Sequence, residues 1–227
     1  MVTKRKATTG VPPSTAHVVK RARKVGVQRN PAFVWKSREW KVRNKPQDNL
    51  EILCHRDSAQ YLVVKKIIKL NDDPLDRRPS EVAALDMLPE CNRIVKTIAY
   101  EEGSPDPDHG LAFFQYYPLG DIYHWKEHSF DRFNFKPIPE SYIWRFFIHM
   151  AQALAFIQNV VGPNRDSRDI MIHRDIKPKN VLVYYRQGST YPSFKLHDFG
   201  CETRYSAHRV QKASRCGTFE WQPPEVL

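Results

Sequence analysis

The sequence predicts an α+β fold in which a small antiparallel sheet carrying one helix precedes a mainly helical part. Three observations predict it. Short β-prone runs separated by polar turns fill residues 50–117, helical periodicity occupies 143–161, and two further β-prone runs flank a polar insertion at 184–192.

The runs LEILC (50–54) and YLVVK (61–65) bracket the polar turn 55–60 and read as a hairpin. Ser80 precedes Glu81, and Val82, Leu85 and Leu88 recur at helical spacing up to Pro89. A short helix is therefore expected from near Arg78 to the proline. Strand-like runs follow at 94–100 and 111–117, with the Pro, Asp and Gly-rich stretch 103–110 as their turn. Past Pro118 the character becomes helical: Ile143, Phe146, Phe147, Met150, Leu154, Ile157 and Val161 make one amphipathic helix with a wide apolar stripe. The runs 181–183 and 194–196 read as a second small hairpin.

The chain has 227 residues, 41% of them hydrophobic and 12% aromatic, enough to bury a core, which excludes wholesale disorder and a disulfide-stapled miniprotein. Its 36 Lys and Arg exceed its 25 Asp and Glu by 11, but ten of the basic residues lie within 1–38, before the first acid, Glu39. From residue 39 onward 26 basic residues face 25 acidic ones, so the excess belongs to a tail rather than to a folded face. That weakens a nucleic-acid-binding reading, which is left with loose contacts by the tail. Residues 1 to about 30 lack hydrophobic periodicity and are expected to be a disordered arm. Its clusters at Lys4–Lys6 and Lys20–Lys24 suit either a two-part signal for a nuclear import receptor or a solvated basic tail.

The cysteines Cys54, Cys91, Cys201 and Cys216 have no metal-ligand spacing and are expected as free thiols in a reducing compartment. Polar residues interrupt the most apolar stretch, 143–162, and the N-terminus has no apolar segment. An intracellular protein, nuclear or cytoplasmic, without membrane contact is expected. His128, His149, His197 and His208 read as packing or surface residues, not ligands.

Chemistry concentrates at Ile172-His173-Arg174-Asp175-Ile176-Lys177-Pro178-Lys179-Asn180, an Asp followed five residues later by an Asn. This segment resembles the catalytic loop of the protein kinases. Asp198-Phe199-Gly200 resembles the family's D-F-G, and Leu62-Val63-Val64-Lys65 its V-A-I-K strand. The stretch 91–96 is similar to the family's H-P-N-I-V connection, and 114–121 to its hinge. The stretch 217–225 is similar to the close of its activation segment, with Pro223-Pro224-Glu225 where A-P-E usually stands. Asp175 with Lys177, and Thr218 after Gly217, match the serine/threonine type.

The resemblance, which covers about residues 40–227, implies a two-lobed fold that transfers the γ-phosphate of ATP, with Mg²⁺, to a serine or threonine hydroxyl of a protein substrate. It implies a tail at 1–38 and a kinase domain at 39–227, with a small lobe at 39–117 and a partial large lobe at 118–227. Asp175 would be the base and Lys177 would balance the moving charge. Asn180 and Asp198 would hold metal, and Lys65 would pair with Glu81 and hold the ATP phosphates. Phe114 would be the gatekeeper, backbone groups of Gln115 and Tyr117 would meet the adenine edge, and Val63 and Leu182 would sandwich the ring. Ser214 stands where many such kinases are phosphorylated, and a phosphate there would meet Arg174.

Two departures stand beside these matches. The stretch where the phosphate-covering loop should lie, 43–49, contains no glycine but does contain Pro46 and Asp48, with Arg43 and Lys45 as partial compensation. The sequence also stops two residues after Glu225, where the family continues through several helices that would cover the stripe of 143–161. Either a fragment of a longer product or a degenerate relative is expected. The alternative function is a pseudokinase or scaffold that binds nucleotide or partners without phosphoryl transfer.

Overall fold

A computed structural model of the chain describes residues 33–163, 169–206, 209–210 and 216–224. The expected disordered arm, its basic clusters, Ser214 and Glu225 lie outside the described residues.

Five antiparallel strands form the first lobe: β1 (Trp40–Gln47), β2 (Leu50–His55), β3 (Ser58–Lys69), β4 (Thr97–Glu102) and β5 (His109–Gln115), in the order β1-β2-β3-β5-β4. The expected hairpin is present with a tighter turn, because Ser58 already pairs with His55. The helix α1 (Ser80–Met87) ends just before Leu88 and Pro89, close to the expected stop.

Alternation on β3 divides the small lobe into two apolar layers. Val63, fully buried, belongs to an outer layer with Trp40, Leu53, Leu111 and Phe113. Phe33 and Trp35 cover that layer, their rings 5.1 and 4.7 Å from that of Phe113. Val64 turns the other way, into the main core with Leu85, Ile94 and Phe114. Successive strand residues point to opposite faces, so a shift of one position exchanges the two layers.

Below the sheet lie α2 (Ile122–Lys126), the long α3 (Glu140–Ile157), the short strand β6 (Ile170–Ile172) and the hairpin of β7 (Val181–Tyr185) and β8 (Pro192–Leu196). Asp121 caps α2, its carboxylate accepting from the His124 amide at 2.9 Å. Two strand fragments, β9 (Thr203–Ser206) and β10 (Arg209–Val210), complete a small sheet in the order β10-β9-β6. The stripe expected on α3 splits in the structure. Met150 and Ile157 are buried with Ala153 and Phe156, whereas Ile143, Phe147 and Val161 stay exposed. No helix among the described residues is long and apolar enough to cross a membrane.

The two lobes meet through backbone bonds. The Val95 amide donates to Leu196 at 2.9 Å and the Leu196 amide donates to Arg93 at 2.8 Å, while within the second lobe the Val183 amide donates to Gly120 at 2.9 Å. These bonds anchor β7 and β8 beneath the sheet. One core then runs from Leu85 and Phe114 above to Phe156, Phe194 and Phe199 below.

Phe113→Ala should cost about 3–5 kcal/mol because it empties the centre of the outer layer, whereas Phe135→Ala, at a side chain 80% exposed, should change little. Urea unfolding of the two variants checks this.

Candidate active site

The loop after β6 carries Asp175, 8% exposed, with both carboxylate oxygens engaged. Oδ1 accepts from the Thr218 amide at 2.9 Å and from the Thr218 hydroxyl at 2.8 Å. Oδ2 accepts from Asn180 Nδ2 at 2.8 Å and pairs with Lys177 Nζ at 2.8 Å. Lys177 also donates to the Thr218 hydroxyl at 2.5 Å, and Asn180 to the Asp175 carbonyl at 2.8 Å. Burial raises the carboxyl pKa of Asp175, but bonds from Lys177 and Thr218 more than offset it and hold the group below its ordinary range. Asp175, Lys177, Asn180 and Thr218 are thus brought together as one network.

Local geometry explains how the loop holds its shape. The ring of His173 sits 4.7 Å from that of Phe199, and its Nε2 lies 3.0 Å from the His197 carbonyl. His197 Nε2 in turn lies 3.0 Å from the Lys179 carbonyl, so the histidine read as a packing residue joins the loop to the segment after β8. Arg174 and Asp198 both adopt positive φ, at 64° and 63°. Backbone strain of this kind is retained where surrounding contacts dictate it. Gly217, at φ 104°, lies against the Arg174 carbonyl, where a β-carbon would collide with it. That close approach delivers Thr218 to Asp175.

The second group of residues corrects the expected pairing. Glu81 binds Lys66, not Lys65: the Lys66 Nζ lies 2.6 Å from Glu81 Oε2 and 3.0 Å from Asp198 Oδ1. Lys65 points to the outer face, where it pairs with Glu51 at 2.6 Å and lies 6.0 Å from the Trp35 ring centroid. The physical reason is the period of two on β3, which places neighbouring lysines on opposite faces. Val63 is displaced with Lys65: it is buried in the outer layer, so it cannot face the cleft, and Val64 shares the Lys66 side. Burial lowers the Lys66 pKa, but the charges of Glu81 and Asp198 outweigh it and raise the pKa above the ordinary lysine value. Burial pushes the Glu81 carboxyl up although Lys66 pulls it down. For Asp198, burial opposes ionisation, and the charge and hydrogen bond of Lys66 overcome it.

The lysine doublet at 65–66 was the one available sign that the register could slip. Phe114, opposite Val64 on β5, is buried in the main core, and Leu182 packs against that core. Tyr117 is also buried and its hydroxyl donates to Gln115 Oε1 at 3.1 Å. The stretch without glycine forms the end of β1 and the turn to β2, exposed along 43–49, with Lys45 Nζ 3.6 Å from Asp48. Among the described residues no group of three or more His, Cys, Asp and Glu is placed to hold a metal ion. Asn180 uses its amide nitrogen in the loop network and Asp198 Oδ1 accepts from Lys66, so Asn180 Oδ1 and Asp198 Oδ2 are the oxygens these two residues could offer a metal ion.

The cysteine expectation also needs correction. Cys201 and Cys216 form a disulfide, while Cys54 and Cys91 are free. Their spacing of 15 residues concealed a fold-back in which Arg174 Nε donates to the Cys201 carbonyl at 2.7 Å and Gln222 to the Cys216 carbonyl at 3.0 Å.

Comparison with known proteins matches residues 51–227 to the protein kinase domain family. An Aurora kinase of Yarrowia lipolytica is 28% identical over 122 residues, 54% of this chain and 27% of that protein. Mitogen-activated protein kinase kinase 2 of Arabidopsis thaliana is 23% identical over 181 residues, 78% of this chain and 43% of its own length. A probable serine/threonine-protein kinase of Dictyostelium discoideum is 29% identical over 104 residues, 40% of this chain and 10% of its own. The chain thus spans less than half the length of each of these relatives.

Because Asp175 and Asp198 are held below the ordinary 3.8 when folded, the unfolded chain binds protons more readily near that pH. Their stabilisation is complete above the ordinary value and is lost as pH falls through the folded values. Asp198→Asn should therefore flatten the acid limb of stability, read by urea unfolding between about pH 2 and 6.

Proposed function

Because this chain belongs to the protein kinase domain family, we propose that it transfers the γ-phosphate of ATP to a serine or threonine hydroxyl of a protein. The observation that carries the proposal is Lys66 held between Glu81 and Asp198, residues from three separate segments that converge on one ammonium group. In phosphoryl transfer the protein supplies positioned charge rather than covalent chemistry. Lys66, in the role expected of Lys65, would hold the α- and β-phosphates, with Glu81 keeping it in place.

Asp175 would orient the attacking hydroxyl and receive its proton. The four bonds around its carboxylate occupy the lone-pair directions of both oxygens. An incoming hydroxyl must therefore displace one partner. Lys177 is suited to leave, because its ammonium can follow the negative charge onto the transferring phosphoryl group while Thr218 and Asn180 keep the carboxylate aimed. The depressed pKa of Asp175 fits a group that orients first and accepts the proton late.

Asn180 Oδ1 and the Asp198 carboxylate supply hard oxygen donors of the kind Mg²⁺ takes alongside water and phosphate oxygens. Bound there, the ion would neutralise charge between the β- and γ-phosphates. Adenine would lie between Val64 and Leu182, with the backbone of Gln115 and Tyr117 at its edge and Phe114 behind it.

A pseudokinase reading keeps one specific support. The turn from β1 to β2, which should cover the phosphates, has Pro46 in place of an amide donor and no glycine to let the backbone approach. Thermal stabilisation by ATP without any transfer to a serine/threonine peptide library would select that reading.

Asp175→Asn should reduce transfer by about 10²–10⁴-fold with nucleotide binding retained; full activity in that variant would remove Asp175 from its role. Lys66→Met should abolish transfer while Lys65→Met preserves it, measured as labelled phosphate incorporated into the same peptides. The reverse result would restore Lys65 to the nucleotide site.

A further inference from the structure

We propose that Arg93, Arg145, Arg186 and Lys195 form a second binding site, for a phosphate-type oxyanion, outside the network of Asp175 and Lys66. The four cations come from three places in the fold: the segment between α1 and β4, the helix α3, and the β7–β8 hairpin. Three of them are fixed by bonds that leave their charges unneutralised, and Arg186 is close enough to act on Arg93 and Lys195. Arg93 Nε donates to Gln152 Oε1 of α3 at 2.8 Å, and Arg145 Nε donates to the Pro192 carbonyl at 3.1 Å. Lys195 Nζ donates to the Ile94 carbonyl at 3.3 Å and lies 5.9 Å from the Tyr184 ring centroid. All these acceptors are neutral.

Two buried polar atoms at this place have no hydrogen-bond partner among the described residues, Arg93 Nη1 and Ser193 Oγ. Ser193 lies two residues from Lys195 on β8 and so emerges on the same side of that strand. Native proteins satisfy nearly all such groups, and a buried guanidinium nitrogen without an acceptor calls for one. A guanidinium presents a planar fork that matches phosphate oxygens with two parallel bonds, so the missing acceptor is best supplied by an oxyanion.

The electrostatics of the surroundings agree. Burial depresses the Arg93 pKa, with Arg186 and Arg145 adding to the effect, and burial likewise depresses Lys195, with Arg93 and Arg186 adding. His149, whose Nδ1 accepts from the Phe194 amide at 3.2 Å, is brought down to about 4 by burial and then by the same three arginines. The histidine is therefore neutral at physiological pH, and it adds no charge. Tyr184 and Cys91 act against the lowering at Arg93, and Cys91 and Glu90 at Lys195; Glu90 is the one carboxylate among them. Four like charges disfavour one another, and an anion placed among them would relieve that repulsion.

The inference does not depend on phosphoryl transfer, so its test reads binding alone. Pyrophosphate is titrated into the full chain by calorimetry. It should still bind once Lys66→Met has removed the cation proposed to hold ATP phosphates, and in that background Arg186→Glu, a change at an exposed side chain, should weaken it by about tenfold or more. Arg93→Gln should weaken it similarly. Lys41→Glu, at an exposed position on β1, should leave it unchanged. Competition then separates the sources of the phosphate: displacement by a phosphoserine peptide but not its unphosphorylated form assigns the site to a phosphorylated protein segment, and displacement by free tripolyphosphate alone assigns it to a soluble polyphosphate. The proposal is overturned if pyrophosphate does not bind, if Arg186→Glu and Arg93→Gln bind it as their Lys66→Met parent does, if Lys66→Met alone loses it, or if Lys41→Glu weakens it equally.

Discussion

The ammonium group of Lys66 is the constraint on which the remaining architecture depends. A charge drawn largely out of water is tolerable only with close counter-charges, and Glu81 and Asp198 together outweigh the effect of burial on its pKa. Meeting that demand fixes three elements at once. β3 must present Lys66 inward, α1 must turn Glu81 toward the sheet, and the segment after β8 must adopt the left-handed backbone of Asp198 to bring its carboxylate within 3.0 Å. Breaking either contact would leave a buried charge uncompensated, which costs far more than a surface pair contributes.

The network around Asp175 is built differently, from local loop bonds closed by a distant partner. Asn180 and Lys177 lie on the same loop, whereas Thr218 arrives from 43 residues away because Gly217 permits a backbone approach that a side chain would block. The pairing of Cys201 with Cys216 spans the same fold-back. His173 and His197 connect the two networks through the core beneath Phe199, so the positions of Asp175 and Asp198 are mutually dependent. The cation cluster at the β7–β8 hairpin shares this scaffold but none of these bonds.

Much of this was legible before any coordinates. Short motifs carry their own spacing, and an Asp with an Asn five residues on, followed by Asp198-Phe199-Gly200, survives translation into structure because loop geometry is local. The strands β2 to β5, β7 and β8, with α1 and α3, follow from periodicity for the same reason, whereas β1, α2 and the short β6, β9 and β10 carry no such pattern. The nucleotide lysine did not survive, since Lys65 and Lys66 are indistinguishable by composition and differ only in which face of β3 they occupy. That choice is made by pairing: Glu51 lies opposite Lys65, and the outer layer of Trp40, Leu53 and Phe113 claims Val63.

By itself, then, the sequence determined the family, the strands β2 to β5, β7 and β8 with the helices α1 and α3, and the loop residues gathered around Asp175, because each rests on local spacing or on hydrophobic period. Only the tertiary structure decided that Lys66 rather than Lys65 meets Glu81, that Cys201 bonds Cys216, and that Arg93, Arg145 and Lys195 are tied to neutral acceptors from neighbouring segments. Each of those depends on strand register or on contacts between segments far apart in the chain. Register is a cooperative property of whole layers, and no single residue announces it.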